Sequence, residues 1–335
     1  MDNNMFLSDA EADVFNNLMP GNQNIRVGSK LQQALFGLTP IGKKFYIDPV
    51  NGNDSNDGLS YATAVKSFPV GYALLTANKN ETLYIVGGAS ALNLAVTFSW
   101  EKSYTHLVGL CAGGAYGRAR IGHNANFTTL FTVKANGCLF KNIHWQQGRG
   151  SSTNINCLWV DETANYNTFI NCHFDSPLNA TEGAQAYRVL VLGGTASTPI
   201  GARSNKFIEC TFGDWTAAPS ASTGALIDFK GVNAGTLFDR CTLIVNTDKA
   251  GLVAIKAAVD IGGGNPPGYV HFKECSFLAL STGVSVLLTA PTVGKIILDQ
   301  CRAAGVSAWS GSSNNVLITN SYLGDDSAGL GVVQG

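Results

Sequence analysis

Three aspartates, Asp161, Asp228 and Asp260, each fall in or beside a short apolar run that precedes a recurring six-residue pattern. Paired carboxylates a few ångströms apart perform glycosidic chemistry, one as acid and the other as nucleophile or base. If each run forms one turn of a stack, Asp228 and Asp260 stand about 5 Å apart, and Asp161 about 10 Å from Asp228. Those separations bracket the retaining and inverting geometries. Against this, the three lie 8, 10 and 12 residues before the next copy of the pattern, so their registers disagree. His144 and His173 take the same place in successive copies, and a stacked pair could bind a metal or sense pH. Their position points outward, which predicts a solvated column. Trp215 and Trp309 are expected to be exposed and able to stack on sugar rings. The eight cysteines include no Cys-x-x-Cys pair, which removes the usual zinc arrangements. Neither a metal nor a cofactor is expected.

The elements that position these residues are set by the pattern itself: apolar, two variable residues, Cys or apolar, polar, apolar. It reads Phe140-Lys-Asn-Ile143-His-Trp145, Phe169-Ile-Asn-Cys172-His-Phe174, Phe207-Ile-Glu-Cys210-Thr-Phe212 and Phe238-Asp-Arg-Cys241-Thr-Leu243. It continues as Phe272-Lys-Glu-Cys275-Ser-Phe277, Leu298-Asp-Gln-Cys301-Arg-Ala303 and Ile318-Thr-Asn-Ser321-Tyr-Leu323, with a weaker first copy at Leu107-Val-Gly-Leu110-Cys-Ala112. The copies recur at intervals of 20 to 38 residues, so a fixed rung alternates with loops of changing length. One straight strand cannot turn both its first and fourth positions inward, because its faces alternate. A bend must fall between them, at Gly109, Asn142, Asn171, Glu209, Arg240, Glu274, Gln300 or Asn320; Gly and Asn tolerate the left-handed backbone this needs. Each rung is therefore strand, corner, strand, and further apolar runs ahead of most rungs give two or three strands per coil. The fold class is all-β, a right-handed single-stranded parallel β-helix. Cys172, Cys210, Cys241, Cys275 and Cys301 then form one interior column of thiols, and Phe169, Phe207, Phe238 and Phe272 a second column of stacked rings.

Composition agrees with such a fold. Hydrophobic residues make up 45% and charged residues 13%, which excludes a disordered chain. A net charge of −1 argues against nucleic acid, and no apolar stretch is long enough for a membrane span. The start has no basic segment followed by an apolar run, so no signal peptide is expected.

Residues 1–43 stand outside the repeat. Ser8-Asp9-Ala10-Glu11 is a capping box opening a short helix, and 29–36 is a second helical stretch. The apolar residues of this arm, Met5, Phe6, Val14, Phe15, Leu18, Leu31, Leu35 and Phe36, are too few for a core and must dock on something. Residues 44–335 form the β-helix domain, divided into an opening module (44–80), coils (81–323) and a tail (324–335). The opening module, Phe45-Tyr-Ile-Asp-Pro-Val-Asn-Gly-Asn-Asp-Ser-Asn-Asp-Gly58 followed by Thr63-Ala-Val-Lys-Ser-Phe68-Pro69, resembles that of pectate-lyase-like β-helix proteins: strand, Asn/Asp/Gly loop, capping helix. The resemblance covers roughly residues 44–323 and implies architecture, because this fold hosts lyases, hydrolases, tailspikes and virion decoration proteins alike. The loop from Asn53 to Gly58 has a faint likeness to a calcium loop, but Asn53 and Ala64 stand where an EF-hand needs Asp and Glu. Of the four motifs of polygalacturonase-like hydrolases, only Asn246-Thr247-Asp248 matches the first; Asp325-Asp326 lies far downstream and no histidine is flanked by glycines.

With no catalytic set assembled and a non-repeat arm ahead of the shaft, the chain resembles a phage virion protein. The resemblance implies a capsid decoration (cement) protein, a homotrimer gripping the major capsid protein through its arm and assembled in the host cytoplasm. The alternatives are a tailspike that binds or cleaves surface polysaccharide, and a polysaccharide lyase or glycoside hydrolase.

Overall fold

The computed structural model describes residues 42–335, apart from 89, 112–118, 124–127, 148–153, 176–185, 195–200, 216–223, 247–251, 258–259, 264–267, 281–285, 312–314, 325–331 and 334–335. The arm residues from Met5 to Phe36, Thr247, Asp248, Asp325 and Asp326 lie outside the described residues.

Among the described residues the coils stack into three sheets. Sheet I holds ten strands, from Lys44–Ile47 to Val316–Thr319. Sheet II also holds ten, from Leu92–Leu94 to Tyr322–Gly324 and Val332–Val333. Sheet III holds eight, from Phe98–Trp100 to Ala308–Ser310. A representative coil runs from Asn154–Val160 in sheet III, through Thr168–Ile170 in sheet I and His173–Phe174 in sheet II, to Ala186–Leu192 back in sheet III. Among the described strands every pairing is parallel except that of Tyr322–Gly324 with Val332–Val333. This is a right-handed parallel β-helix with three strands per coil.

The rung register is the one the sequence implies. Phe140, Phe169, Phe207 and Phe238 are paired in turn, and the rings from Phe140 to Phe272 stack with centroids 4.5–4.8 Å apart and planes within 10°. Trp145, Phe174 and Phe212 make a second aromatic column at 5.0 Å spacing. Between the columns, the chain bends at Asn142, Asn171, Glu209, Arg240, Glu274, Gln300 and Asn320, each with φ between 49° and 57°. The bend does not interrupt the ladder: Asn171 N–H donates to Ile208 O, Glu209 to Asp239 O and Arg240 to Lys273 O, each at 2.9 Å. Gly109 departs from the expected corner. It lies within the strand Thr105–Leu110, and Leu110 is exposed. Glycine is required there by proximity, since a Cβ would sit 2.3 Å from Asn142 O.

A second corner, between sheets III and I, escaped the sequence reading. Gly137, Tyr166, Ser204 and Gly235 take positive φ there. Next to them, fully buried Asn167 and Asn205 carry the ladder with their side chains. Asn205 Oδ1 accepts from Asn167 N and Asn167 Oδ1 from Cys138 N, both at 2.9 Å. Their amides donate inward to Ala135 O and Ala164 O. Both stand two residues before a column Phe, which is the signal that could have revealed them.

In the opening module, the helix Phe68–Leu74 lays Phe68 against Phe98, Trp100 and Phe131 at centroid distances of 4.7–6.3 Å. Lys102 Nζ reaches the carbonyls of Tyr72 and Leu75 at the end of this helix, where a cation is favoured. The preceding loop is an ordinary turn. Asp54 Oδ1 accepts from Lys66 N and Ser67 N, and Asp57 Oδ1 from Leu59 N, so these carboxylates hold backbone.

Candidate functional site

The three aspartates do not form a carboxylate set. Asp228 lies within the strand Gly224–Phe229 of sheet III, paired with Val191 on one side and Lys256 on the other. Asp260, four residues beyond Lys256, sits in an isolated bridge with Val293, and its Oδ1 accepts from Gly262 N and Gly263 N. Asp161 follows the strand Asn154–Val160 and folds onto Thr163, accepting from its N–H and its hydroxyl. Asp161 and Asp260 thus shape turns. Loops of unequal length move each aspartate to a different place in its coil, which the rung spacing alone cannot register.

What sheet III assembles around Asp228 is a basic cluster. The outward column runs Trp159, Val191, Asp228, Lys256 on successive coils. Asp228 is buried and ion-paired through Oδ2 with Arg188 Nε, itself largely buried. Two residues further along the same chain, Lys230 places Nζ 5.7 Å from the centre of the Trp159 ring. Burial lowers the pKa of Lys230; the Arg188 guanidinium lowers it further, Asp228 opposes this, and Lys256 adds to the lowering. Three cations therefore face one carboxylate already bound by one of them. The Trp159 indole is anchored by its Nε1 donating to Gly193 O at 2.7 Å, which fixes the ring plane. Such a surface attracts an anion and offers a flat apolar ring beside it. A fixed aromatic plane flanked by hydrogen-bonding cations suits a charged sugar. None of Arg188, Lys230, Lys256 or Trp159 was singled out from the sequence, because their convergence depends on the register across the long loops.

The histidine pair is placed as expected in register and unexpectedly in burial. His144 and His173 are paired in sheet II, with ring centroids 4.5 Å apart and planes within 12°. Both are buried rather than solvated, as are Gln147 and Asp175 on the following positions. His144 Nε2 meets Asp175 Oδ2 at 3.2 Å, and His173 Nε2 meets Gly213 O at 2.9 Å. Trp309 is also buried, edge-on to Phe277 at 5.4 Å, so of the two tryptophans only Trp215 is exposed. Near Trp215, Asn246 Nδ2 donates to its carbonyl.

No family model matches the chain, and no curated protein matches it in sequence. Solved structures match it in shape. A pectate lyase superposes with a TM-score of 0.53 at 18% identity, covering 80% of this chain, which spans 64% of that protein. A rhamnogalacturonan lyase gives 0.50 at 14% identity, over 79% of this chain and 74% of its own. A pectin methylesterase solved with a hexasaccharide gives 0.55 at 12% identity, covering 89% and 92%. At such identities the likeness is one of fold: the chain is a parallel β-helix built like these three proteins.

Proposed function

We propose that the outer face of sheet III binds an acidic polysaccharide, and that the protein is a lyase-type enzyme acting on it. The observation that carries this is Lys230 Nζ over the fixed Trp159 ring, with Arg188 and Lys256 flanking Asp228 next to it. In a polymer containing uronic acids, the ring lies under a sugar face while Arg188 and Lys256 meet the carboxylate and Lys230 acts as the neutral amine. Neutralising that carboxylate acidifies the adjacent C–H. Lys230, whose pKa is lowered by burial and by its cationic neighbours, is suited to remove that proton. The electron pair then forms a double bond and expels the glycosidic oxygen on the next carbon, and that oxygen takes its proton from solvent. Asp228 holds Arg188 in place and takes no proton in this scheme. The fold shared with a pectate lyase and a rhamnogalacturonan lyase supports the reading without establishing it.

The test uses the full chain with polygalacturonate, alginate and, as a neutral control, dextran. An unsaturated product from an acidic polymer is the expected result, with Lys230→Met abolishing it and Lys256→Ala weakening binding about tenfold. New reducing ends without unsaturation would replace elimination by hydrolysis. Failure to bind any acidic polymer overturns the proposal. A virion role remains a rival proposal drawn from the sequence: a trimer attached to a major capsid protein through residues 1–43. Under it, deleting 1–43 abolishes binding to empty capsids while the β-helix stays folded.

A further inference from the structure

We propose that His144, His173 and Asp175 form a binding site for a divalent transition-metal ion on sheet II, independent of the polysaccharide face. The three side chains are buried, and one potential ligand atom from each lies within 4.8 Å of the others. Their placement follows from the fold. His144 and His173 occupy the same outward position one coil apart. Asp175 follows His173 by two residues and turns its carboxylate back to His144 Nε2, 3.2 Å away. Trp145 and Phe174, which follow the two histidines, stack at 5.0 Å with planes within 2° and tie together the two strands that carry the ligands.

Two imidazoles and one carboxylate are a donor set suited to zinc and its first-row neighbours, and poorly suited to calcium or magnesium, which prefer oxygen. Without the ion, His144 Nε2 is hydrogen-bonded to Asp175 Oδ2 and His173 Nε2 donates to Gly213 O. Binding replaces both hydrogen bonds, the Nε2 protons moving to the opposite ring nitrogens or to solvent, and tilts the ring edges together, to a nitrogen–nitrogen separation of roughly 3.3 Å at ordinary zinc–nitrogen distances. Three protein ligands leave a fourth position for water. The charges around the site set its strength. Asp175 favours the ion, and the carboxylate of Asp214 is buried on the coil after His173. Arg120 opposes the ion, standing one coil before His144 in the same column, and uncharged Thr211 follows His173.

The experiment titrates Co²⁺ and Zn²⁺ into the chelator-treated full chain near pH 7.5. One equivalent of Co²⁺ is expected to give a visible spectrum, displaced by Zn²⁺ and unaffected by excess Ca²⁺ or Mg²⁺. His144→Asn and His173→Asn should each weaken binding about a hundredfold, with the fold checked by circular dichroism. Arg120→Gln should tighten binding severalfold, an effect that a loose contact with surface histidines does not predict. The proposal is overturned if the unmodified chain gives no cobalt spectrum, if affinity survives in the double asparagine variant, or if Ca²⁺ competes on equal terms. The first of these needs no variant, so a misfolded mutant does not protect the idea.

Discussion

Each thiol of the interior column sits just past a corner, where the bend leaves a carbonyl of the preceding coil facing the core. Cys172 Sγ approaches Phe140 O at 3.4 Å, Cys241 approaches Phe207 O at 3.3 Å, and Cys301 approaches Phe272 O at 3.3 Å. The last rung replaces the thiol by Ser321, whose hydroxyl reaches Leu298 O at 3.2 Å. The column thus selects a small side chain with a donor, and burial keeps the Cys241 thiol protonated by raising its pKa. Cys241→Ser should therefore change stability by less than about 1 kcal/mol, whereas Cys241→Val should cost about 1–3 kcal/mol by leaving the carbonyl unsatisfied. Urea midpoints of the two variants decide this, and equal losses would refute the donor role. The column was legible in the sequence because one residue type recurs at one place. Its hydrogen bond was not, since the accepting carbonyl lies 29 to 34 residues away in these three cases.

At the scale of the element, the corner between sheets I and II decides the fold. A non-glycine residue in the left-handed region costs roughly 1–2 kcal/mol, and seven rungs accept that cost. What they gain is continuity, because each corner N–H still finds the next coil; Gln300 N–H donates to Thr319 O at 2.9 Å. Gln300→Gly should relieve the strain and raise stability by up to ~1 kcal/mol, net of the larger entropy of the unfolded chain. Gln300→Val, with a branched Cβ, should lower it by more than ~1 kcal/mol. Thermal denaturation of both variants checks the sign. The parity argument located this corner because the hexad has a fixed length. The segments between sheets III and I have no fixed length: Asp228 stands 10 residues before Phe238 and its partner Lys256 stands 16 before Phe272, so the disagreeing registers of the aspartates could not be resolved into a pairing from spacing alone.

For the whole molecule, stability is set along one axis, as in other stacked repeats. His106, buried in sheet I, accepts a hydrogen bond from Leu139 N–H at 3.1 Å, and burial lowers its pKa to about 4. The unfolded chain binds this proton near pH 6.5 and the folded chain does not until about pH 4. The stabilisation is complete above pH 6.5 and is lost as pH falls through that window, by ~3 kcal/mol in all. Urea unfolding at pH 7.5, 5 and 4 should show the decline, and His106→Gln should flatten it. A slope unchanged by that variant would place the acid sensitivity elsewhere.

The register has a consequence for how such a chain can be compared with others. Gly109 is constrained by Asn142, Asn167 by Asn205, and His144 by His173, never by their neighbours along the chain. The text is in effect written on a cylinder, and each residue is held by the one on the line above or below. A change in loop length shifts every later position in a linear alignment while leaving each vertical neighbour in place. At 12% identity over 89% of the chain, what is shared with the pectin methylesterase is the winding of the cylinder and few of the letters on it.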